Sequence, residues 1–288
     1  MRISKLAKVA SLALAFGLVA GTPAYAVDLQ GSGASFPALL IEGCKAGFAA
    51  SGSGHTYVYA SSSSGTGQAN SDKSIGDFWM SDGAYTASTK RASLIHVPLV
   101  AAPIAILHNL PSKTTLSLSA ATVAGIFGGT ITRWNDPAIV ADNNRTTTKV
   151  IYKLDKNGNP AKDSKGNPVV LRTQNITQRY TLPDKPIKVV YRSDSSGTSE
   201  NFTNYLNKSA SAVWPKAKNK VFKDAFPGNI NDTANLGRVV GAASSTGVAQ
   251  LAGKTAYSIT YAEVNYATAN KLKIANVINV AGSSVAPD

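Results

Sequence analysis

One cysteine and three histidines among 288 residues narrow the chemistry at once. Cys44 has no partner, so no disulfide framework can form within the chain. Its place in LLIEGCKAGF reads as a core position on a helix, with Leu40 and Phe48 on the same face. His55, His96 and His108 lack metal-ligand spacing, so no zinc or other metal site is expected. Each lies in strand-like apolar surroundings, where a structural histidine is commoner than a catalytic base. No G-x-S-x-G elbow surrounds Ser196, the serine best placed to be imagined as a nucleophile. Catalysis and a bound cofactor are therefore not expected. Acids are also scarce, 16 against 29 lysines and arginines. Past residue 26 no apolar run is long enough to cross a bilayer.

The first 26 residues have the three parts of a secretory signal. Arg2, Lys5 and Lys8 form the basic start, VASLALAFGLVAG the apolar middle, and AYA a small-residue cleavage site. The apolar run falls short of the ~18–20 residues a membrane anchor needs. Cleavage after Ala26, and a periplasmic or secreted location, are expected. Past the signal, 26 basic residues face 16 acidic ones, which favours anionic partners in general.

Residues 27–110 alternate β-rich runs with helical patterns. HTYVYA and IGDFWMSD are strand candidates, and HVPLVAAPIAILHNL is a further apolar run of strand character. SAATVAGIFG reads as a helix with Val123 and Phe127 on one face, and TRWNDPAI as a turn opening another. IKVVYR reads as a strand, SGTSENFTNYLNK as a helix burying Phe202, Tyr205 and Leu206, and VFKDAFPGNIND as a loop. STGVAQLAG suggests a short helix, and AYSITYAEVNYATAN a strand followed by a helix. Such alternation argues for an α/β fold with a largely parallel sheet. Between them, residues 143–186 carry the turn near-repeat DKNGNP and DSKGNP between β-prone segments, a surface hairpin with nine basic and three acidic residues. It lacks the interleaved aromatics that stack bases, so no nucleic-acid partner is expected.

Three loops share one composition: GSGASFP, SSSSGTG and RSDSSGTS. Small hydroxyl and glycine residues at helix starts make an anion site from unpaired N–H groups and the positive dipole end. Plain helix caps and turns account for the same residues equally well.

GSGASFPALL, GDFWMSD, IFGGTITRWNDPAI, VVYRSDSSGTSENFTNYL and YSITYAEVNYA occur in this order. Together they resemble the phosphate-binding protein of the bacterial phosphate ABC transporter, the PstS type, over nearly all of residues 28–288. The resemblance implies a two-lobed periplasmic binding protein that closes over inorganic phosphate and delivers it to a membrane permease. Carried across, it implies ligand contacts from the Ser35 hydroxyl, the Phe36 backbone, Ser63, Asp82, Arg192, Ser196, Gly197 and Thr198, with Asp194 orienting the arginine. Within SSSSGTG the match could fall on Ser62 or Ser64 instead. Asp82 would accept a hydrogen bond from a protonated phosphate oxygen, which sulfate cannot offer. The implied lobes are 27–100 and 101–270, with 271–288 crossing back toward the first. The family's chain then returns to complete the first lobe, so that lobe is expected to be incomplete, and a second chain completing it is one implied partner. Two alternatives stay open: a split or truncated member acting as a surface interaction protein, and, on weaker grounds, a phosphate-ester hydrolase.

Overall fold

The computed structural model describes residues 26–86 and 90–287. The expected signal falls outside the described residues, apart from Ala26. The described strands form two larger sheets and a separate two-stranded ribbon. The first is parallel and three-stranded, in the order β2-β1-β3, from β1 (Asp28–Ala34), β2 (Thr56–Ser62) and β3 (Phe78–Met80). Helices α1 (Ala38–Ala49) and α2 (Ser64–Asp72) connect these strands. Parallel neighbours need such crossovers, so the alternating pattern of the sequence dictates this unit.

The second sheet begins with β4 (Ile104–His108), β5 (Ser117–Ser119), α3 (Ala120–Gly128) and α4 (Pro137–Asn143). Ser119 caps α3 by accepting from Thr122 N, and Gly129 ends it with φ +85°. Asp136 caps α4, and Pro137 opens it where no N–H is needed. Next come the ribbon strands β6 (Thr146–Tyr152) and β7 (Val170–Thr177), then β8 (Lys188–Arg192), α5 (Gly197–Ser209) and α6 (Phe222–Ala225). The chain continues through β9 (Val239–Ala242), α7 (Ser244–Lys254), β10 (Ser258–Glu263), α8 (Asn265–Ala269), β11 (Lys273–Ile278) and β12 (Ser284–Val285). Strand order is β12-β11-β4-β10-β8-β9, with β5 on β11. β10, β8 and β9 run parallel, and β4 is antiparallel to both β10 and β11.

One face of this sheet carries an aromatic core of Phe127, Phe202, Trp214, Phe222 and Tyr261. The other packs Leu107, Val190, Val248 and Tyr266 under α7 and α8. The first sheet has no comparable interior. Among its described residues and helices, Ala34 and Ile41 are the buried hydrophobics.

Four expectations need correction. The helix bearing Cys44 forms, but Cys44 and Leu40 are exposed, because nothing among the described residues covers that face. Of HVPLVAAPIAILHNL, Ile104–His108 alone is strand; Val97 and Leu99 are 76% and 59% exposed and belong to no sheet. VFKDAFPGNIND is not all loop, since it contains α6, with Phe222 and Ala225 buried in the aromatic core. Residues 271–288 do not cross back: β11 and β12 extend the second sheet, because β11 finds open backbone partners on both β4 and β5.

The basic hairpin is a two-stranded ribbon, paired from Thr146↔Thr177 to Tyr152↔Val170 and exposed along both faces. Of the histidines, His108 is buried, and burial with nearby Lys273 pushes its pKa down to about 3, a neutral structural role. His55 accepts from Val27 N and His96 from Tyr85 N, both in exposed settings rather than apolar ones.

Candidate functional site

β1, β2 and β3 all end toward the second sheet, and β8, β9 and β10 end toward the first. Ligand crevices form outside the carboxyl ends of parallel strands, where loops lead into helix starts. Six such ends converge here. Ser35 and Phe36 follow β1, Ser63 follows β2 and Asp82 follows β3. Arg192 closes β8, with Asp194 and Ser196–Thr198 directly after it.

Arg192 is buried at the centre, 2% exposed. Its Nε donates to Asp194 Oδ1 at 2.7 Å and its Nη2 to Asp194 Oδ2 at 2.6 Å. This forked pair locks the planar guanidinium in place. Burial opposes the arginine's charge, but the Asp194 bonds and charge overturn that, so its pKa is raised. Nη1 donates to Ser245 Oγ at 3.1 Å.

The two halves touch through hydroxyls. Ser35 Oγ accepts from Ser245 N at 2.8 Å and donates to Ser245 Oγ at 3.1 Å. The tetrapeptide Ser-Ser-Gly-Thr occurs twice, at 63–66 and 195–198, and opens α2 and α5. These two helix starts dock reciprocally. Gly65 N donates to Ser195 O at 2.9 Å, and Gly197 N to Ser64 Oγ at 3.2 Å. Neither glycine has room for a side chain: a Cβ on Gly65 would lie 2.5 Å from Ser195 Oγ, and one on Gly197 2.7 Å from both Asp82 Cβ and Ser64 Oγ.

Ser63 and Ser196 each spend their hydroxyl on a cap, accepting from Thr66 N and Ser199 N. Ser64 instead bridges the halves, accepting from Asp82 N as well as Gly197 N. Ser62 turns away, donating to Gly33 O. Phe36 lines a cavity of about 550 Å³ behind Asp82, with Trp79 and Pro98.

Asp82 reaches across to the second half, where Thr198 Oγ1 lies 2.7 Å from its Oδ2. Burial raises its pKa, and the Thr198 bond and the Arg192 charge pull it partly back. Glu263, at the end of β10, lies 2.9 Å from the same hydroxyl and is 1% exposed. Burial raises its pKa too; Ser245 works against that, and the charge of Asp82 adds to it.

Of the nine residues singled out in the sequence, Ser35, Asp82, Arg192, Asp194, Gly197 and Thr198 are joined, directly or through Ser64, Ser245 and Glu263, by hydrogen bonds where the halves meet, while Ser63 and Ser196 cap the adjoining helices and Phe36 lines the cavity behind Asp82. Missed were Ser245, Tyr261 and Glu263. The hydroxyl run Ser244–Thr246 at the start of α7 is the same signal as in the other loops and could have flagged Ser245. Tyr261, which accepts from Arg192 N and pairs with Ser199, has no local signal.

Known proteins resemble this chain in sequence and in fold. A family model described as a PBP superfamily domain matches residues 19–287. Phosphate-binding protein PstS of Pasteurella multocida is 33% identical over 279 residues, covering 96% of this chain and 67% of its own. Phosphate-binding protein PstS 3 of Mycobacterium tuberculosis is 30% identical over 236 residues, covering 80% of this chain and 51% of its own. The chain therefore spans about half to two thirds of the length of these curated relatives. Among solved structures, a phosphate-binding protein from Stenotrophomonas maltophilia superposes with a TM-score of 0.58 at 20% identity, over 87% of this chain and 64% of that one, a likeness of fold. On the family-model match and these sequence identities, the chain belongs to the PBP superfamily and, within it, to the PstS type.

Proposed function

We propose that the chain binds inorganic phosphate between lobes of 27–100 and 101–270, as the solute-binding component of a phosphate ABC transporter. The observation that carries this reading is Arg192, a buried guanidinium locked by Asp194 among the hydroxyl-rich helix starts of α2, α5 and α7. Ser35, the Phe36 backbone, Ser63, Asp82, Arg192, Ser196, Gly197 and Thr198 are the proposed contacts. Hydrogen bonds to a charged ligand contribute ~1.5–3 kcal/mol each. Five or six exceed the roughly 8 kcal/mol of a micromolar complex, and the surplus offsets lobe closure. The ligand passes unchanged to a membrane permease, and the chain is exported with its leader removed after Ala26.

Selectivity rests on Asp82. Phosphate near neutral pH keeps a proton that a carboxylate can accept; sulfate has none and meets like charge. Sites built around one substrate proton discriminate by ~10⁴-fold or more. Isothermal titration with phosphate, then sulfate, tests the reading. Tight, stoichiometric phosphate uptake with no sulfate heat is expected, and Asp82→Asn is expected to narrow the gap more than Arg192→Lys. Equal binding of both anions, or turnover of a phosphate ester, refutes it.

Exposed Leu39, Leu40, Val58, Ile95, Val97 and Leu99 support a second reading. In it the first lobe is covered by another chain, and the protein acts through that contact. It expects the second lobe to melt cooperatively with no gain in Tm from phosphate.

A further inference from the structure

Thr198 Oγ1 carries one proton, yet two carboxylate oxygens lie within hydrogen-bond reach of it, Asp82 Oδ2 at 2.7 Å and Glu263 Oε1 at 2.9 Å. A single hydroxyl cannot donate to both. With both acids ionised, one carboxylate would face the hydroxyl's lone pairs inside a buried cluster. Both contacts to the Thr198 hydroxyl are satisfied only with one more proton, carried by one of the acids, while Asp82 Oδ1 and Glu263 Oε2 are buried without a hydrogen bond.

Three observations place that proton on Glu263. Glu263 is 1% exposed, while Asp82 is partly exposed. The Arg192 charge acts on both acids, but the Asp82 charge adds to the burial that already raises the Glu263 pKa. Thr198 and Glu263 belong to the same half of the molecule, and Asp82 joins them from the other. Two acids sharing a site do not both ionise readily, and the more buried one keeps the proton.

We propose that Glu263 is a positioning residue that holds a proton in the closed cleft: its carboxylic acid donates to Thr198 Oγ1, and Thr198 donates to Asp82 Oδ2. The chain of donors then runs one way. It satisfies one oxygen of Asp82 and leaves Oδ1, which is buried without a hydrogen bond, as a charged acceptor for the ligand's proton. Closing the lobes brings the Asp82 charge to Thr198, so closure and proton retention at Glu263 reinforce each other. At high pH Glu263 ionises, Thr198 is contested, and a second negative charge appears beside the anion.

The groups that could shift this balance are few. Asp82 faces Glu263 from the loop after β3, Arg192 with Asp194 from β8, and Tyr266 from α8. Tyr261 lies two residues back on β10 near Arg192, and Tyr59 approaches Asp82 from β2. α7 offers the uncharged Ser245, and β4 offers Ile104 opposite Glu263. Glu200 on α5 is paired with Lys218.

The proton is a property of the ligand-free protein; only its effect on affinity rests on the phosphate reading. The test has two arms. In the ligand-free protein, the carbon-13 signal of the Glu263 carboxyl is followed through a pH titration. It is expected to remain in its protonated position well above the ordinary carboxylate range, and to ionise at lower pH in Asp82→Asn. In the second arm, phosphate is titrated calorimetrically into wild type, Glu263→Gln and Glu263→Ala from pH 6 to pH 9. Glutamine can donate to Thr198 but cannot ionise. Glu263→Gln is expected to stay within about threefold of wild type at pH 6 and to bind about tenfold tighter than wild type at pH 9, while Glu263→Ala loses about tenfold throughout. The ligand's own ionisation is common to all three proteins and cancels in their ratios. A Glu263 carboxyl that ionises in the ordinary range, or a Glu263→Gln loss equal to that of Glu263→Ala, overturns the proposal. If Glu263 stays protonated but wild type takes up no phosphate, the phosphate reading fails and the proton assignment stands.

Discussion

Replacing Gly197 by alanine should lower both stability and phosphate affinity. Gly197 is the first residue of α5, with no need of a left-handed backbone. Alanine in a helix lowers the entropy lost on folding by about 0.5–1 kcal/mol, but only where its side chain fits without strain. The new Cβ, however, would lie 2.7 Å from Asp82 Cβ and from Ser64 Oγ. Ordinary carbon contacts begin near 3.5–4.0 Å, so the halves must separate by roughly 1 Å at this point. That displacement takes the 2.7 Å Thr198–Asp82 bond and the 3.2 Å Gly197–Ser64 bond to or beyond the limit of useful geometry. One bond involves a carboxylate and one is neutral, so their joint loss is about 3 kcal/mol, roughly a hundredfold in affinity. Calorimetric phosphate titration should therefore show the weakening, and differential scanning calorimetry of the ligand-free variant a lower Tm. Gly65→Ala, which meets Ser195 from the other side, should behave alike. Wild-type affinity in Gly197→Ala would refute the idea that the ligand-bound state is this closed contact.

Three further outcomes are expected. Asp194→Ala strands a buried guanidinium and should cost about 3–5 kcal/mol in urea unfolding; a loss below about 1 kcal/mol would mean that Arg192 finds another partner or reaches water. The folded-state pKa values of Asp82 and Glu263 are both raised, so the folded protein binds these protons more tightly than the unfolded chain does. Stability of the ligand-free protein should accordingly fall as pH climbs upward from the ordinary carboxylate range, and Asp82→Asn should be stabilised relative to wild type at pH 8 but not at pH 4; parallel curves would contradict it. Finally, replacing the exposed ribbon tip between Tyr152 and Val170 by a two-residue turn removes no buried side chain and should leave Tm within a few degrees, while a large loss would reveal packing that the structure does not have.

Whatever depends on neighbours in sequence was legible. The α/β alternation produced the parallel strands and crossover helices, and Val123, Phe127, Phe202 and Leu206 are buried on the faces their spacing indicates. The Arg192–Asp194 fork joins residues two apart on one extended stretch, so the family resemblance could imply it from the sequence. Serine and glycine at the openings of α2 and α5 are helix-start chemistry, which is local by nature. Tertiary structure decided the rest. Glu263 and Ser245 enter the cleft because β10 and β9 flank β8 in the sheet, an order that no short-range pattern encodes. Ser64 became the bridge because α2 and α5 meet end to end, while Ser63 was consumed as a cap. Cys44 lies on the helix its spacing indicates but is exposed, since burial depends on what packs over a face and not on the face itself. Periodicity reports which residues share a side; only the assembled sheets determine which strand ends, and therefore which charges, come within a hydrogen bond of each other.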